Sequence, residues 1–260
     1  MTICEAIMLE DYLREQRKAK DILLMTHIVV GYPDWEACEE MVAAMVAAGV
    51  DLMELQIPFS EPIADGPVIL KANQEALERG VTVGRCLEFG RRVAQRHDIP
   101  FLYMTYYNIL FRYGVEAFVE EMAAAGVKGA IVPDLPPEEG EAYLQAMARH
   151  ECHPIFIFSP TTGDARLRYL SSFAQGFVYC VARKGVTGMD TRFTDDLSIY
   201  LSRCRDATNL PLALGFGVKD KADVDYLKGK ADIAVIGTQT LRLVNEAGVA
   251  AVGDFIRGLR

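Results

Sequence analysis

Among the acidic residues of this chain, Glu54 and Asp65 stand apart by their surroundings. Glu54 lies in the apolar run Leu52-Met53-Glu54-Leu55-Gln56-Ile57, and Asp65 in the segment Pro58-Phe59-Ser60-Glu61-Pro62-Ile63-Ala64-Asp65-Gly66-Pro67 that follows. A carboxyl among apolar neighbours loses solvation, which favours its protonated form and suits general acid work. Pro58, Pro62 and Pro67 each remove a backbone donor and Gly66 admits an unusual turn, so the segment reads as a stiff, irregular loop. One acid on a strand end and a second on its rigid loop are materials for a proton-transfer site. Each has a plainer reading too: Glu54 as an ion-pair partner, and Asp65 as half of an Asp-Gly turn.

The later half offers places for an anion. Arg183-Lys184-Gly185-Val186-Thr187-Gly188, Gly215-Phe216-Gly217 and Gly237-Thr238 follow three successive apolar runs. Small residues let the backbone approach a ligand, and a helix opening at Thr238 would turn its free amides toward a phosphate. Any one of these glycines is a turn residue; three groups at successive strand ends point to a phosphate site. Further polar candidates are Tyr106, Asn108, Asp134 and Tyr179, the last equally readable as a packed core tyrosine. His27, inside the first apolar run, is the histidine expected to face a site, whereas His97, His150 and His153 read as solvated. No HxH or HExxH pattern suggests a metal. The six cysteines include no CxxC pair and read as buried free thiols of a reducing compartment.

The elements that must hold these residues alternate in kind. Strand-like runs fall at Leu23–Val30, Asp51–Ile57, Phe101–Tyr106, Ala130–Pro133, Pro154–Phe158, Phe177–Val181, Leu212–Gly215 and Ile233–Ile236. Between them lie helical patterns, with Trp35, Cys38, Met41, Val42 and Met45 on one face, or Val115, Phe118, Val119 and Met122 on another. Pro137-Glu138-Glu139 reads as the first turn of a helix. Ala47-Ala48-Gly49-Val50-Asp51 and Ala124-Ala125-Gly126-Val127-Lys128 form a weak repeat in which glycine ends a helix just before a strand. Strands joined by crossover helices pair in parallel, and eight such units fit a single closed (β/α)8 barrel, a TIM barrel, over residues 1–260. An open doubly wound sheet is the rival, but no GxGxxG follows the first strand. Leu9, Tyr12 and Leu13 make one apolar stripe, so residues 1–20 are expected to add a helix at the closed end. In a barrel of this kind the site lies at the C-terminal strand ends, and period-two alternation puts Glu54 on one face with Leu52 and Gln56.

Bulk properties limit the partners. A chain of 260 residues with 51% hydrophobic and 24% charged residues is an ordinary globular mixture. A formal charge of −9 argues against nucleic acid or an anionic membrane, though backbone amides can still bind phosphate. There is no secretory segment and no run long enough to span a bilayer, so a cytoplasmic location is expected.

Taken in order, Glu54 to Pro67, Met104-Thr105-Tyr106-Tyr107-Asn108, Ile131-Val132-Pro133-Asp134-Leu135-Pro136-Pro137-Glu138-Glu139, Gly185-Val186-Thr187-Gly188 and Gly215-Phe216-Gly217 closely resemble the tryptophan synthase α subunit family. The likeness runs from about His27 to Thr238. It implies a (β/α)8 barrel that cleaves indole-3-glycerol phosphate to indole and glyceraldehyde 3-phosphate. It also implies an α2β2 assembly with a β subunit, in which pyridoxal phosphate serves the partner and this chain needs no cofactor of its own. Glu54 and Asp65 match the family's catalytic pair, Tyr179 a tyrosine near the reacting centre, and Thr187 a loop threonine that orders the aspartate. Gly188, Gly217, Gly237 and Thr238 match phosphate-binding positions, and Tyr106 and Asp134 match the substrate pocket and its loops.

Four positions depart from the family pattern. Gln56 replaces a glycine beside Glu54, and could narrow the pocket or hydrogen-bond the glutamate. Glu61 replaces an aspartate in the loop thought to meet the partner, His27 an aromatic residue lining the indole pocket, and Ala182 a serine. Two rival readings stand beside the expected activity: a lyase that works alone and releases indole, and a noncatalytic barrel that binds a phosphorylated ligand.

Overall fold

Leu52, Glu54 and Gln56 turn to one face of their strand and Met53 and Leu55 to the other, and both faces are buried. Such a strand must be covered on two sides, as in a parallel barrel ringed by helices. The computed structural model describes residues 7–181, 195–215 and 217–260. It shows eight parallel strands closed in sequence order: β1 (Leu23–Val29), β2 (Leu52–Gln56), β3 (Phe101–Met104), β4 (Gly129–Ile131), β5 (His153–Phe158), β6 (Val178–Val181), β7 (Leu212–Gly215) and β8 (Ile233–Ile236). The eight strands expected from the sequence are all present, the last two with the expected ends and the others with ends moved by at most two residues.

An extra helix, α1 (Leu9–Ala19), precedes β1. The outer ring is then α2 (Trp35–Ala47), α3 (Pro67–Glu78), α4 (Val83–Arg96), α5 (Tyr107–Tyr113), α6 (Val115–Ala124), α7 (Glu141–Arg149), α8 (Asp164–Ser171), α9 (Asp195–Ala207), α10 (Lys221–Leu227), α11 (Thr238–Ala247) and α12 (Val249–Gly258). The two repeat units do what their spelling suggests. Gly49 and Gly126 adopt φ of +92° and +80°, and the amides of Val50 and Val127 reach back to Met45 and Met122. This left-handed closure satisfies the last carbonyls of α2 and α6 and aims the chain into β2 and β4.

Two apolar clusters result. The outer one lies between strands and helices; the inner one fills the barrel and joins Leu23, Leu52, Leu102, Ile131, Ile155, Phe177 and Ile233 to Leu9, Tyr12 and Leu13 of α1. The helix therefore seals the N-terminal end of the barrel. Asp51 sits at the same end with its side chain fully buried, accepting from the amide of Leu24 at 2.7 Å and from Arg260 at 2.6 Å, and pairing with Lys20. Five of the cysteines are buried free thiols, and burial pushes Cys38 up to about 12; Cys4 lies outside the described residues.

Two expectations are corrected. Pro137, Glu138 and Glu139 form a turn, not a helical first turn: Glu139 and Gly140 donate back to Pro136 and Pro137, and the helix opens only at Glu141 after Gly140. Glu138 pairs instead with Arg166. His153 is not solvated. It is 3% exposed at the start of β5, where Nε2 accepts the free first-turn amide of Leu9 at 3.2 Å and so caps α1 from outside the helix.

Candidate active site

The parallel register sets His27 of β1 directly beside Glu54 of β2, both on the face that points into the barrel. Their side chains are 4% and 5% exposed, and Nδ1 of His27 lies 2.8 Å from Oε1 of Glu54. The sequence predicts a carboxyl surrounded by hydrocarbon; the structure gives it a hydrogen-bonded imidazole. Burial alone would lower the His27 pKa, but the bond and charge of Glu54, reinforced by the charge of Asp65, outweigh it and raise it above the usual value. Among the described residues, His27 Nε2 and Glu54 Oε2 have no hydrogen-bond partner, so each keeps one polar atom for a ligand.

Asp65 reaches the same mouth from the loop after β2. The loop is stitched down at three places. Phe59 donates its amide to Oδ1 of Asn73 on α3 at 2.9 Å, and Asn73 in turn donates to the carbonyl of Ile69. The Phe59 ring stacks on Tyr106 with centroids 4.9 Å apart. The hydroxyl of Tyr106 accepts the amide of Ala64 at 3.2 Å and donates to Oδ2 of Asp65 at 3.4 Å. Gln56 completes the clamp, its Nε2 donating to the same Asp65 oxygen at 2.6 Å. Thus Gln56 serves the aspartate, not the glutamate. Burial raises the Asp65 pKa despite the opposing bonds from Gln56 and Tyr106 and the charge of His27.

Tyr179 on β6 closes the far wall. Its ring lies so close over Gly215 on β7 that a Cβ there would stand 2.3 Å from Cε1 and 2.4 Å from the hydroxyl oxygen. Burial, with the nearby charges of Glu54 and Asp65, raises its pKa far above the usual value. Gly217 follows with φ +111°, a conformation open to glycine. Gly237 follows β8 at the point where an added Cβ would stand 3.5 Å from the His27 Cβ, and α11 opens at Thr238 with no side-chain cap. Thr240 of α11 ties this corner to β1, its hydroxyl lying 2.6 Å from the Gly237 carbonyl and 3.3 Å from that of His27.

Glu54, Asp65, Tyr106 and Tyr179 therefore share one mouth, with Gly217, Gly237 and Thr238 on the loops that follow β7 and β8. Asp134 is different: its Oδ1 accepts the amide of Tyr107 at 2.9 Å and so joins the loop after β4 to the one after β3. Thr187, Gly188, Ala182 and Phe216 lie outside the described residues. Sequence reasoning missed Asn73 and Thr240, which carry no signal beyond a polar residue on the inward face of a helix.

A closed parallel barrel with two buried carboxyls at its C-terminal mouth is the framework of a (β/α)8-barrel enzyme that moves protons. The comparisons narrow the class. The family model "Tryptophan synthase alpha chain" matches residues 13–253, and the chain belongs to that family. It is 64% identical over 252 residues to the tryptophan synthase alpha chain of Desulforapulum autotrophicum, covering 97% of this chain and all of that one. The corresponding chain of Syntrophotalea carbinolica is 62% identical over 253 residues. A solved chain of Mycobacterium tuberculosis tryptophan synthase superposes with a TM-score of 0.91 at 30% identity, covering 96% of each chain.

Proposed function

We propose that the chain is a lyase of tryptophan biosynthesis, cleaving indole-3-glycerol phosphate to indole and glyceraldehyde 3-phosphate and passing the indole to a β subunit. The observation that carries this reading is the pair of buried carboxyls, Glu54 and Asp65, held at one mouth by separate partners.

The reaction needs a proton on indole C3 and the loss of one from the C3′ hydroxyl. Glu54 delivers the first through its unpartnered oxygen, giving a cationic indolenine. The bond from C3 to C3′ then breaks, its electron pair returns to the ring, and Glu54 takes up the hydroxyl proton as C3′ becomes an aldehyde. Asp65, ionised, accepts the indole N–H and offsets the positive charge that develops there. Tyr179 packs beside the reacting centre and Tyr106 holds Asp65. Asp134 fixes the pocket rim. In this reading Gly188, Gly217, Gly237 and Thr238 receive the phosphate, whose binding positions the reacting end, and Thr187 orders Asp65.

Pyridoxal phosphate belongs in this reading to the β subunit of an α2β2 assembly, and the cleavage draws only on this chain's side chains. The loop between the two acids presents Ile63, 70% exposed, and the exposed Glu61, features that suit a docking edge. Among the described residues no helix is long and apolar enough to cross a membrane; a cytoplasmic location is part of the proposed reading.

The test is steady-state indole formation with and without a β subunit. Glu54→Gln and Asp65→Asn are each expected to keep the fold and ligand binding while losing most turnover. Wild-type rates in either variant would remove that residue from the mechanism. Turnover indifferent to the β subunit would favour a lyase that works alone, and an unchanged kcat/KM for the dephosphorylated substrate would discard the glycine-loop phosphate site.

A further inference from the structure

We propose that His27 is a positioning residue for Glu54: it aims the carboxyl, so that the acid–base unit of this site is a histidine–carboxyl dyad. The proposal rests on the reading of Glu54 as the proton-transfer group and specifies what sets that group's aim.

The geometry is that of a built pair. His27 and Glu54 are register partners on adjacent parallel strands, so their backbones fix the spacing before any side chain moves. The 2.8 Å bond uses one oxygen of Glu54 and one nitrogen of His27, and leaves Oε2 and Nε2 without partners among the described residues. Both side chains are buried, so neither can exchange its partner for bulk water at small cost. Behind the ring, a Cβ added at Gly237 would come within van der Waals reach of the imidazole, and the Thr240 hydroxyl meets the His27 carbonyl, which anchors the strand end carrying the imidazole.

The Nδ1–Oε1 bond fixes the aim of the Glu54 carboxyl and leaves its other oxygen to face the reacting atoms. When Glu54 gives its proton to C3, the carboxylate left behind keeps the Nδ1–H bond; when it accepts the C3′ hydroxyl proton, the pair returns to its starting state. The balance is one proton out and one in, with no other reagent. The groups that act on His27 are few. Glu54 and Asp65 bring charge from β2 and its loop, the Gln56 amide of β2 also acts to raise the His27 pKa, and the Tyr179 hydroxyl stands near the same two carboxyls from β6. β8 brings only Ile233, Ala234, Val235 and Ile236, and α11 meets the ring's strand with Gly237 and Thr240. α3 turns the apolar Ile69, Ala72 and Ala76 with Asn73 inward, and α1 meets β1 at the sealed end.

The experiment combines kinetics with histidine NMR on the full chain, together with the β subunit where turnover requires it. His27→Phe keeps a ring of similar size, and His27→Asn keeps an N–H near the Nδ1 position but cannot titrate. His27→Phe is expected to lower kcat by about ten- to a hundredfold, with KM changed far less, because the proton-transferring carboxyl loses the bond that aims it. His27→Asn should recover part of kcat at neutral pH while lacking the limb of the kcat/KM profile that belongs to the dyad. In the wild-type chain the His27 ring nitrogens should titrate above the ordinary value of about 6.5, and Glu54→Gln should bring that titration down.

A His27→Phe profile that superimposes on wild type in both kcat and pH dependence would overturn the proposal. So would a His27 titration indifferent to Glu54→Gln. Failure of the underlying reading looks different: Glu54→Gln would then turn over like wild type while the NMR coupling of the two residues persisted. Should His27→Phe not fold, His27→Asn and the NMR titration still decide the matter.

Discussion

Gln56 gives its amide to Asp65 across 2.6 Å, with neither its own side chain nor the rest of β2 exposed to solvent. A strand residue thereby fixes an acid that lies on the following loop, and the two carboxyls of the mouth are each held by a partner from a strand rather than by each other.

Removing that donor should cost more than the bond itself is worth. Gln56→Ala leaves a buried carboxylate short of a partner, an effect of about 1–3 kcal/mol, so kcat/KM is expected to fall by roughly tenfold or more. Because the amide favours the ionised form of Asp65, its loss should also move the acidic limb of the kcat/KM profile to higher pH. Gln56→Glu should be worse, since two adjacent carboxyls resist ionising together. Wild-type kinetics in Gln56→Ala would show that Tyr106 alone suffices to hold Asp65.

Tyr179 and Gly215 make a second tight relation. Gly215→Ala drives a Cβ into the tyrosine ring, and the ring is enclosed, so overpacking should destabilise the chain by about 1–3 kcal/mol and displace Tyr179 from the mouth. Thermal unfolding and indole formation should both decline. Unchanged values of both would mean that the ring can swing aside freely.

The pH dependence of stability gives an independent reading of His27. Its folded pKa is raised, so the folded chain binds that proton more tightly than the unfolded one. The contribution is complete below the unfolded value of about 6.5 and is lost as pH rises through the folded value. The difference in Tm between wild type and His27→Phe should therefore shift against the wild type as pH goes from about 6 to 9. A difference that stays constant would contradict this.

At the sealed end, Asp51→Ala removes the acceptor shared by Leu24, Lys20 and Arg260. The two cations are about one-third exposed and can rehydrate, so the expected loss is about 2–3 kcal/mol, below the value for breaking a fully buried pair. Denaturant melts should report it, while kcat at a temperature where the chain is folded should not change.

Much of this was legible in the residues. Apolar runs of strand length separated by amphipathic ones set the barrel, and period-two alternation put Leu52, Glu54 and Gln56 on one face. Glu54 stood out because a charge in an apolar run is costly, and Asp65 because it lies on the stiff proline-rich loop that follows. What escaped was contact across space. Nothing in the spelling of Gln56 says that a loop returns Asp65 to it, since that depends on Asn73 and Tyr106 pinning the loop. His153 looked solvated beside Glu151, yet its neighbour in space is the first turn of α1. The helix start misread at Pro137 has a local cause: Gly140 interrupts the run of helix formers, and the acidic pair before it is left in a turn.

The side chains of Leu9, Tyr12 and Leu13 close the lower end of the barrel, and the inner cluster above them fills its interior. The catalytic well is thus blind. Among the described residues the way in lies at the opposite end, where the loops after the strands stand, so the entry of a reactant and the admission of water are governed at that rim. Control of traffic in this protein is a property of its loops, while the stave-like strands below them carry reacting groups such as Glu54.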